Sequence, residues 1–224
     1  MNPLIYFIIP AYNEGTCVGD VVRRVRARFP HVVVVDDGSA DLTADAAAAA
    51  GARVLRHLIN RGQGAALKTG IDFALASGAE ILVTFDSDGQ HQLEDVDALI
   101  DPVRDGRFDV AIGSRFLDQK TQVPFFRKLT LKAAVVFTRV VSRIHVTDTH
   151  NGLRALSRNA AERIRIRQDR MAHASEILDE IGRLKLRYVE VPTHILYTEY
   201  SKQKGQKSSA AFRIAWEFLI GRSN

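Results

Sequence analysis

Apolar positions along the first 114 residues alternate between two periods. Leu4-Ile5-Tyr6-Phe7-Ile8-Ile9 and Val32-Val33-Val34-Val35 are unbroken apolar runs of strand length, the pattern of strands buried on both faces in a parallel sheet. Between them Val18, Val21, Val22, Val25 and Phe29 recur at helical spacing, with Arg23, Arg24, Arg26 and Arg28 on the other side. An alanine-rich helix is expected over 43–50, ended by Gly51, then a short strand at 53–55. Asn60-Arg61-Gly62-Gln63-Gly64 opens a helix carrying Ala65, Leu67, Lys68, Ile71 and Leu75, and Ser77-Gly78 closes it. Strand 81–85 follows, then a helix through Leu93, Val96, Leu99, Ile100 and Val103, then strand 110–113.

From Phe116 the pattern loosens. A basic helix is expected over 124–146, a strand at 152–156, a helix over 175–184 and a strand at 187–191 ended by Pro192; a polar stretch, 201–209, precedes a last helix, 210–220. Strand-helix alternation predicts an α/β fold: a doubly wound, mostly parallel sheet flanked by helices, with ligands gathering at the carboxyl ends of the strands. No internal repeat and no linker divides the chain.

Composition adds three constraints. With 46% hydrophobic and 25% charged residues, the chain has an ordinary globular balance. A single cysteine, Cys17, forms no internal disulfide, and no leader pattern precedes the first strand, so a reducing cytoplasmic setting is expected. No apolar run is long enough to span a bilayer. Charge is divided: residues 1–114 carry 10 Lys and Arg against 16 Asp and Glu, and residues 115–224 carry 21 against 10. That asymmetry points the second half at an anionic partner, be it nucleic acid, a phosphorylated substrate or an acidic membrane. No aromatic-interleaved motif accompanies the lysines, which argues against nucleic acid.

The chemistry concentrates where strands end. Ile81-Leu82-Val83-Thr84-Phe85 runs into Asp86-Ser87-Asp88-Gly89-Gln90-His91. Two carboxylates spaced i, i+2 at a strand's carboxyl end suit Mg²⁺ or Mn²⁺, with Gln90 a further oxygen donor. Pro10-Ala11-Tyr12-Asn13-Glu14 follows the first strand, Asp36-Asp37-Gly38-Ser39 the second and Ser114-Arg115 the fifth, and in a parallel sheet these share one edge. Asp36-Asp37-Gly38 reads equally as a tight turn or as an acceptor for a nucleotide base and ribose. Gly62 and Gly64 ahead of a helix permit close backbone approach to phosphate. Neither a Gly-x-Gly-x-x-Gly fingerprint nor a P-loop occurs, which excludes the usual dehydrogenase and nucleotidase signatures. Together the loops read as a nucleoside-diphosphate site.

The ordered set Pro10-Ala11-Tyr12-Asn13-Glu14, Asp36-Asp37-Gly38-Ser39, Asn60-x-Gly62-x-Gly64, Asp86-Ser87-Asp88-Gly89-Gln90-His91, Gly113-Ser114-Arg115 and Asp148-x-x-Asn151-Gly152-x-Arg154 resembles the GT-A-fold, family-2 glycosyltransferases. It is most similar to the dolichol- and polyprenyl-phosphate sugar synthases. The resemblance covers about residues 4–200. It implies a GT-A domain over 1–200, with a nucleotide-binding half to about 114 and an acceptor half beyond it, and a basic loop with an amphipathic helix over 201–224. It further implies that Pro10, Ala11, Tyr12, Asn13, Glu14, Asp36, Asp37, Gly38, Asn60, Gly64, Lys68, Asp86 and Ser87 bind the nucleotide sugar. Asp88 and Gln90 would hold Mg²⁺ or Mn²⁺, and Asp86, Asp88, Arg115 and Arg154 would serve catalysis. Asn151, Gly152, Arg154, Lys202 and Lys207 would meet the acceptor phosphate. Where the family usually carries an arginine in its late basic loop, this chain has Lys202, Lys204 and Lys207, which supply point charge without a planar fork.

The reaction implied is inverting, metal-dependent transfer of a sugar from a nucleoside diphosphate to a polyprenyl phosphate. Such an acceptor is already anionic and needs no general base, and the sequence offers none beyond Glu176 and Asp179. His91 and His150 read as hydrogen-bonding supports rather than catalysts. Transfer to a saccharide hydroxyl, or a non-catalytic nucleotide-sugar-binding subunit of a membrane complex, are the other readings. Phe212, Ile214, Trp216, Phe218 and Leu219, with the apolar and basic positions of 125–143, suggest peripheral docking at the inner face of an anionic membrane or on a membrane-protein partner.

Overall fold

The apolar runs become the centre of the sheet. A computed structural model describes residues 3–118, 144–149 and 151–196. Its seven strands are β1 (Ile5–Ala11), β2 (His31–Asp36), β3 (Arg53–Arg56), β4 (Ile81–Thr84), β5 (Val110–Ser114), β6 (Arg154–Ser157) and β7 (Tyr188–Pro192), in sheet order β3-β2-β1-β4-β6-β5-β7. All pairings are parallel except those of β6, which runs antiparallel to both β4 and β5. Among the described residues the α-helices are α1 (Val18–Arg26), α2 (Thr43–Ala49), α3 (Gln63–Ala76), α4 (Val96–Arg104), α5 (Arg158–Arg163) and α6 (His173–Arg183).

Strand alternation splits the core in two. Phe7, Ile9, Val32, Val34 and Val83 face the apolar stripes of α1 and α4, with Val21, Val22, Val25, Leu99 and Ile100 against them. Ile8, Leu82, Val110 and Ile112 face the other way, onto Leu67 and Ile71 of α3 and Ile177, Leu178 and Ile181 of α6. Burial on both faces is why these strands carry no polar alternation.

Three expectations change. The strand expected at 152–156 exists, but it is inserted antiparallel between β4 and β5, a placement that period-two patterning does not encode. Its reversed direction means that β6 begins where its neighbours end, with Arg154 opposite Thr84 and Ile112. The helix expected over 124–146 does not reach its end, since 144–146 are irregular, and the rest of that segment lies outside the described residues. Helix α5, capped by Ser157 accepting from the Ala160 amide, was not expected. The basic loop and helix over 201–224 also lie outside the described residues.

Candidate active site

Residues from the carboxyl ends of β1, β2 and β4, the start of α3, the entry to β6 and the start of α6 enclose a cavity of about 380 Å³, within the usual range of ligand sites. Of the residues singled out from sequence, Pro10, Ala11, Tyr12, Glu14, Asp37, Asn60, Asp86, Ser87, Asp88, Asn151, Gly152 and Arg154 line it. They come from both halves of the chain, brought together because β6 runs backwards.

Asp86 is held in place from two sides. His91 Nε2 lies 2.9 Å from its Oδ2, and Gln63 Nε2 donates to Oδ1 at 3.3 Å. A carboxylate only accepts, so the His91 proton sits on Nε2; its Nδ1, buried, has no hydrogen-bond partner among the described residues. Burial pushes the Asp86 carboxyl up, but His91, His173 and Arg154 outweigh it and hold it below the ordinary carboxylate value. Asp88 goes the other way: burial and then the charge of Asp86 raise it. Gly152 lies directly against Asp86, since a Cβ there would stand 2.5 Å from both of its oxygens.

Beside the acids is a buried cation. Arg154 is 3% exposed, and its guanidinium donates to the Ala174 carbonyl at 3.3 Å while Nε has no partner among the described residues. Burial lowers its pKa to about 10, against the pull of Asp86 and Asp148, so it remains charged at neutral pH. A buried guanidinium that lines a cavity has the charge and the donors to receive an anion.

Other candidates are placed elsewhere. Arg115 does not line the cavity; its Nε and a terminal nitrogen donate to Asp148 at 2.6 and 2.7 Å in a bidentate pair, and both side chains are buried. It joins β5 to the 147–148 segment rather than facing the ligand space. Asp36 accepts from the Ser39 amide at 3.0 Å and faces Arg56 Nε at 3.2 Å, behind the site. Asn13, at φ 53°, accepts from the Ala40 amide and shapes the loop. Gly38 (φ +72°) lies against the backbone of Ile59 and Asn60, and Gly64 is crossed by the Gln168 carbonyl, 2.0 Å from where a Cβ would stand. Lys68 is exposed and pairs with Asp72 one turn along α3. Gln90 braces Asp88, donating through both its amide nitrogens, and does not line the cavity. Lys202, Lys207 and His150 lie outside the described residues.

Sequence reasoning missed Gln63, Met171 and His173, which also line the cavity. Gln63 sits inside the Asn60–Gly64 motif and was readable there. Met171 and His173 belong to a segment that folds back onto α3, with Ala65 N donating to the Asp169 carbonyl, and no local pattern announces that contact. Glu176 and Asp179 do not line the cavity; Glu176 instead accepts from the amides of Arg167 and Gln168. Among the described residues, no group of three His, Cys, Asp or Glu is arranged to hold a metal alone.

A family model described as Glycosyl transferase family 2 matches residues 6–165. The UDP-N-acetylglucosamine–dolichyl-phosphate N-acetylglucosaminyltransferase of Methanococcus voltae is 32% identical, over 98% of this chain and 96% of that protein. The undecaprenyl-phosphate mannosyltransferase of Micrococcus luteus is 32% identical over 88% and 85%. Among solved structures, glucosyl-3-phosphoglycerate synthase from Mycobacterium tuberculosis, in complex with Mn²⁺, UDP-glucose and phosphoglyceric acid, superposes with a TM-score of 0.73 at 19% identity, covering 99% of this chain and 80% of that one. That likeness is one of fold, and it is the GT-A fold that the strand order and edge-clustered loops describe. The chain therefore belongs to the family 2 glycosyltransferases.

Proposed function

We propose that this glycosyltransferase moves a sugar from a nucleoside-diphosphate sugar to a polyprenyl phosphate, with inversion and with a divalent metal. The observation that carries the reading is the set of charges gathered in one cavity: Asp86 and Asp88 just after β4, and beside them the buried Arg154 at the start of β6. The relatives named for dolichyl- and undecaprenyl-phosphate transfer support the acceptor class.

The donor set fits a hard divalent cation. Asp88 is raised by burial and by its neighbour's charge, strain that a cation at the carboxylates relieves. Asp88 would hold the metal, and pyrophosphate and water oxygens would complete the shell. When bound, Mg²⁺ or Mn²⁺ supplies charge stabilisation for a departing nucleoside diphosphate. The chain's own residues do the rest. Asp37, Glu14 and the 10–12 loop receive the nucleoside; Asp86, fixed by His91 and Gln63, positions the sugar; Arg154 receives the acceptor phosphate and orients its oxygen toward the anomeric carbon. A single displacement from that side inverts the centre. An anionic acceptor attacks without losing a proton, which agrees with Glu176 being turned to the backbone instead of the cavity. In this reading the nucleotide half ends near residue 114 and the acceptor half runs from about 115 to 200, though both share one sheet.

We place the protein peripherally at a membrane, at its inner face, and the exposed apolar side chains support the peripheral contact. Among the described residues, Tyr12, Leu42, Leu58, Ile59, Leu117 and Leu196 are the exposed large hydrophobics, and every one follows the carboxyl end of β1, β2, β3, β5 or β7. That is the edge on which the cavity opens, so a lipid acceptor and its bilayer would meet the molecule there. No helix of the described residues is long and apolar enough to cross a membrane.

The test is product analysis. Purified protein given Mn²⁺, a panel of nucleotide sugars and undecaprenyl phosphate should form a lipid-linked sugar 1-phosphate with one donor. Sugar transfer only to lipid-linked saccharides would favour the hydroxyl-acceptor reading.

A further inference from the structure

Asp37 is held by more than its loop. Its Oδ1 accepts from the Arg61 amide at 3.0 Å and lies 2.6 Å from His57 Nδ1, while Oδ2 accepts from the Gly62 amide at 2.6 Å. His57 Nε2 is in turn 2.9 Å from Thr69 Oγ1 on α3. Both side chains of the acid–imidazole pair are nearly buried, at 3% for Asp37 and 10% for His57. Asp37 lines the cavity, and His57 and Thr69 do not.

The proton placement follows from the partners. A carboxylate oxygen only accepts, so His57 Nδ1 carries a hydrogen toward Asp37. The ring is then locked from its far side by the Thr69 hydroxyl, whichever of the two holds the remaining proton. An ionised carboxylate has about four lone-pair sites; three protein donors are already in place, leaving about one for the cavity side. Three donors, His57 just after β3 and the Arg61 and Gly62 amides, thus fix where that last lone pair points, with His57 held in turn by Thr69 of α3.

We infer that His57 and Thr69 form a positioning relay that sets Asp37 for the nucleobase, so that base selectivity depends on two residues that never touch the nucleotide. This rests on the reading of Asp37 as the nucleobase acceptor. The chemistry selects bases whose Watson–Crick edge offers a ring N–H, as uracil and guanine do and cytosine and adenine do not. In a buried site the wrong edge leaves Asp37 facing a lone pair, a loss larger than that of a missing contact at the surface.

The experiment is calorimetry on the full chain with Mn²⁺, using UDP, GDP, CDP, ADP and inorganic pyrophosphate as probes. Thr69→Val keeps the volume and removes the hydroxyl; His57→Phe keeps a flat ring and removes both nitrogens. Each should weaken the preferred nucleotide by about tenfold, flatten the ranking of bases, and leave pyrophosphate binding unchanged. A purely structural role would lower the melting temperature or weaken all probes alike, and either result with the ranking preserved overturns the relay. Thr69→Val serves if His57→Phe fails to fold. Asp37→Asn separates the two layers. If it flattens the ranking while the relay variants do not, the relay is wrong and the nucleobase reading stands. If it leaves the ranking intact, the nucleobase reading itself falls.

Discussion

Replacing Gly152 by alanine perturbs the Asp86 carboxylate through a single methyl group. The Cβ would stand 2.5 Å from both oxygens of Asp86 and 2.8 Å from its carboxyl carbon. Ordinary contact begins at 3.4 Å, so the carboxylate must retreat by about 0.9 Å, and displacements of about 1 Å at a reacting centre cost about 100-fold in rate. Retreat is also opposed by His91 at 2.9 Å and Gln63 at 3.3 Å, which tie the acid to its present place. Gly152→Ala should therefore lower kcat/KM by about 100-fold, equivalent to about 2.7 kcal/mol of transition-state stabilisation. The carboxylate moves into open cavity rather than into packed core, so stability should fall by about 1 kcal/mol, at the low end for an added methyl group. Nucleotide release from the preferred donor, measured beside a melting curve, checks both. Turnover within about threefold of the parent, with Asp86→Ala inactive, would refute the placement of Asp86 against Gly152.

Three further outcomes follow from the same geometry. Asp88→Asn should abolish metal-dependent turnover with the fold intact, because an amide is a much weaker ligand for Mg²⁺ or Mn²⁺ than a carboxylate; activity assayed across Mn²⁺ concentrations checks it. Asp148→Asn should act on stability: it removes the carboxylate charge from the buried pair with Arg115, which costs about 3–5 kcal/mol and lowers Tm by about 6–20 °C in a chain of this size. His194 is raised from 6.5, chiefly by its hydrogen bond to Asp95. Its stabilisation is therefore complete below pH 6.5 and lost as pH rises through the higher folded value. His194→Gln should lower Tm more at pH 6 than at pH 9, by differential scanning fluorimetry.

The parallel core was legible because unbroken runs such as Val32–Val35 have one physical use, burial on both faces. Loop chemistry at the ends of β1, β2 and β4 was legible for the same reason, since parallel strands deliver those ends to one edge. What escaped was contact made by direction or by tertiary return. Nothing in 152–156 says that β6 runs backwards, yet that reversal places Arg154 in the cavity. Arg115 looked like a phosphate ligand in its motif, and only the fold shows Asp148 occupying its fork. Asp36 and Asp37 are neighbours of one chemical type, and strand alternation alone sends one behind the sheet edge and the other to the cavity. His173 arrives from a segment that packs on α3 through backbone contacts, for which side-chain pattern carries no signal.

The proposed reaction is transfer to a lipid phosphate by way of Asp88 and Arg154 in one cavity. Its most direct test is mass spectrometry of the lipid product formed from undecaprenyl phosphate and the preferred nucleotide sugar, with Mn²⁺ or with EDTA, by the parent chain and by Arg154→Lys. The expected result is a lipid-linked sugar 1-phosphate of inverted anomeric configuration, formed only with metal and strongly reduced in the lysine variant, whose KM for the lipid phosphate rises. Product formed equally in EDTA, or an Arg154→Lys enzyme with parental lipid kinetics, would contradict it.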